Sequence, residues 1–169
     1  MAQEMTKDGS MPKLQLKDIH EFVFERFKEN KVMSDLVKFQ SINKYLIMAH
    51  SPVHLNKLGN IVANHEKLPI SIVLENYHRE LKKAFLVKPS RKSHYNTLQH
   101  IMGHFSPDFS KSEKRYFLHI LENYKEDKVP LNEALQMLKD CTAKYEKSYL
   151  SRQSYFLFFT LTEKFTDNL

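Results

Sequence analysis

Six prolines, at positions 12, 52, 69, 89, 107 and 130, divide this chain into stretches of helix length. Proline interrupts helix and sheet interiors alike, so each one marks a boundary. Between these boundaries apolar residues recur every three or four positions, as on one face of a helix, and do not alternate as in a half-buried strand. Only three glycines occur in 169 residues. Sandwiches, barrels and glycine-rich phosphate loops need residues free to take positive φ, so all are disfavoured. The expected fold is all-α: a single compact bundle of about six or seven helices over residues 14–169, behind a flexible lead at 1–13. A domain of this length buries roughly 70% of its unfolded-chain surface, which gives it a core without disulfides or metal.

The pattern locates the helices. Leu16, Ile19, Phe22, Val23 and Phe27 share one face of the first. Ser34-Asp35 reads as the N-cap of a second, which ends near His50 because Pro52 disfavours helical geometry at Ser51. Ser51-Pro52 caps a third, in which Gly59 suggests close approach by another helix. Further helices are expected from Pro69, from Ser93 as N-cap to about Phe105, and from the Ser110/Glu113 capping box through Tyr124. The last two are expected from Pro130 to about Lys144 and over 149–156. The helical period assigns Leu36, Ile42, Leu46, Leu58, Val62, Tyr77, Leu81, Leu98, Ile101, Phe117, Leu121, Leu135 and Leu138 to the core.

A lone cysteine, Cys141, cannot form an internal disulfide or a CxxC pair, which suits a reducing, cytoplasmic setting. Its place in the series Ala134, Leu138, Cys141, Tyr145 makes it a small core residue. No apolar run approaches the ~18 residues of a membrane span, and the N-terminus is polar.

Charge is concentrated. Of a net +6, the stretch from His78 to His94 carries +5: Arg79, Lys82, Lys83, Lys88, Arg91 and Lys92 oppose only Glu80. Its loop runs into a helix N-terminus at Ser93, where unpaired N–H groups and the helix dipole favour an anion such as phosphate. Tyr95 offers a stacking ring and Asn96 an amide, a mixture suited to looped or single-stranded RNA. The alternative is a solvated basic face.

Other polar residues suggest other chemistry. His50, Asn96, Gln99 and His100 could line a small-molecule pocket, which would make the chain an enzyme, although no catalytic residue declares itself. His100 and His104 share a helix face, but a catalytic zinc takes three protein ligands and no third is spaced to join them, so no metal or cofactor is expected. The segment Tyr155-Phe156-Leu157-Phe158-Phe159 must either pack inward or serve as a partner-docking surface.

The run YLIMAHSPVHLNKLGNIVAN from Tyr45, followed by KPSRKSHYNTLQHIMGHF from Lys88, resembles the YbgA-like domain of unknown function. The likeness covers roughly residues 33–156, and His50, Ser51, Pro52, Leu58, Gly59, Asn96, Gln99, His100 and Gly103 match its motifs. The resemblance implies a helical domain without established catalysis. Similar domains elsewhere follow a cysteine-rich desulfidase that acts on thiouridine in tRNA, where the helical part is thought to hold the RNA. One cysteine cannot supply that enzyme's cluster ligands. The implied role is therefore an RNA-binding accessory domain, with tRNA as ligand and a separate tRNA-modifying or de-modifying enzyme as a second partner. Phosphate and base contacts would fall to Lys82, Lys83, Lys88, Arg91, Lys92, Ser93, Tyr95 and Asn96. This chain departs from the pattern at His104, where tyrosine is usual, and at Lys125-Glu126-Asp127-Lys128, where the usual turn glycine is missing.

Overall fold

A computed structural model describes residues 15–161, so the expected lead at 1–13 lies outside the described residues. Nine helices follow in order: α1 (Leu16–Phe27), α2 (Met33–His50), α3 (Pro52–Ala63), α4 (Ile70–Leu86), α5 (Arg91–Gly103), α6 (Lys111–Lys125), α7 (Leu131–Lys144), α8 (Ser148–Ser151) and α9 (Ser154–Leu161). No strand occurs among these residues, and no helix is long and apolar enough to cross a membrane.

α2 is the organising element. It packs against α3, α4, α5 and α9, while α7 joins α5, α6, α8 and α9. Every residue from Tyr45 to His50 is buried. A helix apolar on all sides can be stable only where other helices surround it. Pro52 acts as expected. α2 stops at His50, Pro52 opens α3, and the Ser51 hydroxyl accepts the His54 N–H at 3.3 Å. Ser110 and Glu113 form the reciprocal cap of α6, at 3.2 and 2.9 Å. Glu113 then accepts from Lys144 and Tyr145 at 2.6 and 2.7 Å, which ties α7 to that cap.

Eleven of the thirteen expected core residues are buried, as is Cys141. Ile42 is instead 41% exposed and Val62 half-buried. Helical period gives the direction of a side chain, but not whether a neighbour covers that direction. Nothing approaches within 4 Å of a Cβ built on Gly59, so the close approach expected there does not occur. Ser34 is not a cap: α2 starts at Met33, and the Asp35 carboxylate accepts the N–H groups of Lys31 and Val32 at 3.1 and 3.2 Å. The expected final helix is two, because the chain turns at Arg152-Gln153 to bring Gln153 Nε2 to the Ser41 carbonyl at 2.8 Å.

The aromatic segment is core, not an exposed docking surface. Tyr155, Phe156, Phe158 and Phe159 are buried, and only Leu157 faces out.

Candidate nucleic-acid interface

The basic stretch spans the end of α4, a short loop and the first turn of α5. Ser90, not Ser93, caps α5. The two serines are three residues apart and bond reciprocally: the Ser90 hydroxyl accepts the Ser93 N–H at 3.2 Å and the Ser93 hydroxyl accepts the Ser90 N–H at 2.8 Å. This moves the helix start to Arg91 and commits Ser93 to the cap. The Lys92 N–H, in the first turn, makes no hydrogen bond among the described residues.

The cations divide into two groups. Lys82, Lys88 and Lys92 are exposed and form no ion pair among the described residues. Lys83 lies 3.4 Å from the nearly buried Glu80, which also binds His54 at 2.7 Å. Arg91 is fastened to the end of α6: its guanidinium donates to the Tyr124 carbonyl at 2.6 Å, pairs with Asp127 and covers the Tyr124 ring at 4.8 Å. Asp127 takes the left-handed conformation (φ 62°) in the very turn that lacks the usual glycine. The Arg91 contact therefore holds a residue in a geometry that L side chains resist.

Tyr95 is also engaged. Its phenol donates to Glu122 at 2.7 Å and accepts from Gln99 at 3.3 Å, while the Lys125 ammonium sits 5.5 Å from the ring centroid. Hydrogen bonding to Glu122, with some desolvation, raises the Tyr95 pKa.

The expected polar pocket is not assembled. His50 is buried, whereas Gln99 and His100 are exposed, Asn96 is half-buried, and no hydrogen bond or ring contact joins His50 to any of them. His104 bonds to the Tyr45 phenol at 2.6 Å. No group of three metal-ligating side chains forms among the described residues.

A different set of histidines lies inside. The Val87 carbonyl, 2.6 Å from His50 Nδ1, requires a proton there, so His50 Nε2 accepts from His20 Nε2 at 3.3 Å. The His20 ring stacks on Phe85, with centroids 4.3 Å apart. From α5 the buried histidine is His94, bonded to the Tyr155 hydroxyl at 2.9 Å. Burial pushes the His50 pKa down to about 4, with the Val87 bond opposing and the His20 charge adding. Burial, helped by His50 and Arg91, takes His94 to about 3. Both are neutral at pH 7. A signal for His94 was present in the sequence: 94, 97, 98 and 101 form the buried stripe of α5, on which Asn96 and His100 do not lie.

Residues 44–159 match the family described as a protein of unknown function, DUF1722. The chain is similar to the uncharacterized protein YbgA of Escherichia coli (strain K12), with 29% identity over 140 residues and 82% of each chain covered. No solved structure matches.

Proposed function

The chain belongs to the DUF1722 family, and from that premise we propose that it is an RNA-binding accessory domain that works in the cytoplasm. Its ligand class is tRNA, and it serves a separate tRNA-modifying or de-modifying enzyme. The observation that carries this reading is that Lys88 and Lys92, which flank the start of α5, and Lys82, near the end of α4, are exposed and form no ion pair among the described residues. Phosphates bind where cations and helix N–H groups are both uncommitted. Arg91 and Tyr95 support the site by fixing α5 against α6, Ser93 completes the α5 cap with Ser90, and Lys83 is shared with Glu80.

Replacing Lys82, Lys88 and Lys92 together with Gln is expected to weaken tRNA binding and flatten its salt dependence by about 0.7–0.9 in log–log slope per lost phosphate contact. Filter binding across a salt series measures both. Unchanged affinity at near-physiological salt would reduce the cluster to a solvated face.

A further inference from the structure

Leu86, the last residue of α4, is 82% exposed, more than any other large apolar side chain among the described residues. An exposed leucine is ordinary by itself, but two features of its surroundings single this one out. The first is that its position is built. Phe85 before it is buried and stacks on His20, with ring centroids 4.3 Å apart. Val87 after it is held twice: its carbonyl accepts from His50 Nδ1 at 2.6 Å, and its N–H donates to the Ala84 carbonyl at 3.1 Å. Two fixed neighbours present the leucine to solvent, so little backbone freedom is left to lose when it meets a ligand. Buried His50 is thus an anchor of this tip.

The second feature is charge. Lys82 and Lys83, four and three positions earlier, are the neighbours of Leu86 on the helix surface, and Lys88 follows two positions later. Lys82 and Lys88 form no ion pair among the described residues, while Lys83 shares Glu80 with Lys57 and His54. Helix α1, which packs on Phe85 through His20 and Phe24, does not offset them, because its Lys17, Arg26 and Lys28 balance Asp18, Glu21 and Glu25. The tip therefore joins an apolar side chain to uncompensated positive charge.

RNA is a polyanion whose bases offer apolar faces once they are unstacked. Protein interfaces centre on a well-packed apolar core and are depleted in lysine, whereas here Leu86 and the half-exposed Val87 stand among lysines. We propose that Leu86 is an apolar wedge of the RNA site: it enters where bases are unpaired, a splayed base packs against it, and Lys82 and Lys88 meet the flanking phosphates. Apolar side chains act in this way at opened base steps. The ligand class is then looped RNA, not uniform duplex, whose stacked bases leave no step open. This rests on the RNA-binding reading and adds to it the residue that distinguishes unpaired from paired bases.

The test is titration of the full chain with an RNA hairpin that carries a fluorescent adenine analogue in its loop, with the blunt duplex of its stem, and with phosphatidylglycerol vesicles. The parent should bind the hairpin more tightly than the duplex and brighten the analogue by unstacking it. Leu86→Ala should weaken hairpin binding about tenfold, as expected for the loss of one base contact, and should no longer brighten the analogue. Duplex affinity, salt slope and helicity by circular dichroism should stay as in the parent, and Leu86→Met should restore hairpin binding. The Lys82/Lys88/Lys92→Gln variant should instead weaken hairpin and duplex alike. Failure of the parent to bind either RNA would overturn the RNA-binding reading and the wedge with it. Hairpin binding that Leu86→Ala leaves intact, or an equal loss on hairpin and duplex, would overturn the wedge alone. Vesicle binding that needs Leu86 while hairpin binding does not would give the tip to a membrane surface and overturn it too.

Discussion

Arg91 and Lys92 are neighbours in sequence, carry the same charge and occupy the same helical turn, yet they belong to different regions of the molecule. Arg91 turns inward and closes the α5–α6 junction through Tyr124 and Asp127, whereas Lys92 stays in solvent with Lys82 and Lys88. The same contrast separates His94, buried against Tyr155, from the exposed His100 six residues later. Polar side chains of one short segment thus do two jobs. One group sustains the fold and the other is available to a ligand, and variants should sort cleanly between them.

The largest effect is expected at His94. His94→Ala removes a buried ring and orphans the Tyr155 hydroxyl, and should cost about 4 kcal/mol by urea denaturation. A cost below about 1 kcal/mol would erase the distinction from His100. Next comes pH. His50 is neutral in the fold down to about pH 4, while in the unfolded chain it takes up a proton near 6.5. Its contribution is fully retained above pH 6.5 and lost as pH falls towards 4, amounting to about 3 kcal/mol. Urea midpoints that decline between pH 6.5 and 5, before most carboxylates titrate, check the sign, and His50→Gln should make that decline shallower without abolishing it, because His94 contributes in the same direction.

Arg91→Ala should cost about 2 kcal/mol, because hydrogen bonds from a charged donor are lost at a partly buried site. Lys92→Ala should change stability by less than about 0.5 kcal/mol. The salt slope of RNA binding should respond in the opposite order. The finest distinction lies at Asp127: Asp127→Gly should be about 1 kcal/mol more stable than Asp127→Ala, since both lose the Arg91 partner but only glycine accepts positive φ without penalty. Thermal midpoints of the two variants decide it.

Much of this architecture was legible in the residues. The α2–α3 break at Ser51-Pro52, the Ser110/Glu113 cap and the inward set from Leu36 to Leu138 follow from rules that act over four residues or fewer. Errors arose where two local solutions compete. Ser90 and Ser93 are both competent caps, and Asp35 can cap from the third position as Ser34 could from the first. The candidate site was legible only in part. Counting lysines and arginines found the basic stretch, but could not tell that Arg91 and Tyr95 already have partners on α6, thirty or so residues away.

Helix class, the proline boundaries, the lone cysteine and the concentration of charge between His78 and His94 were determined by the sequence alone, because propensity, capping and net charge are properties of near neighbours. Tertiary structure decided which polar groups are spent and which are free. His50 meets Val87 and His20, His94 meets Tyr155, and Gln153 reaches Ser41. Each of these contacts joins residues at least thirty positions apart, so each exists only after the helices have packed. Burial then sets its consequence, by making an unpaired donor, acceptor or charge too costly to leave inside.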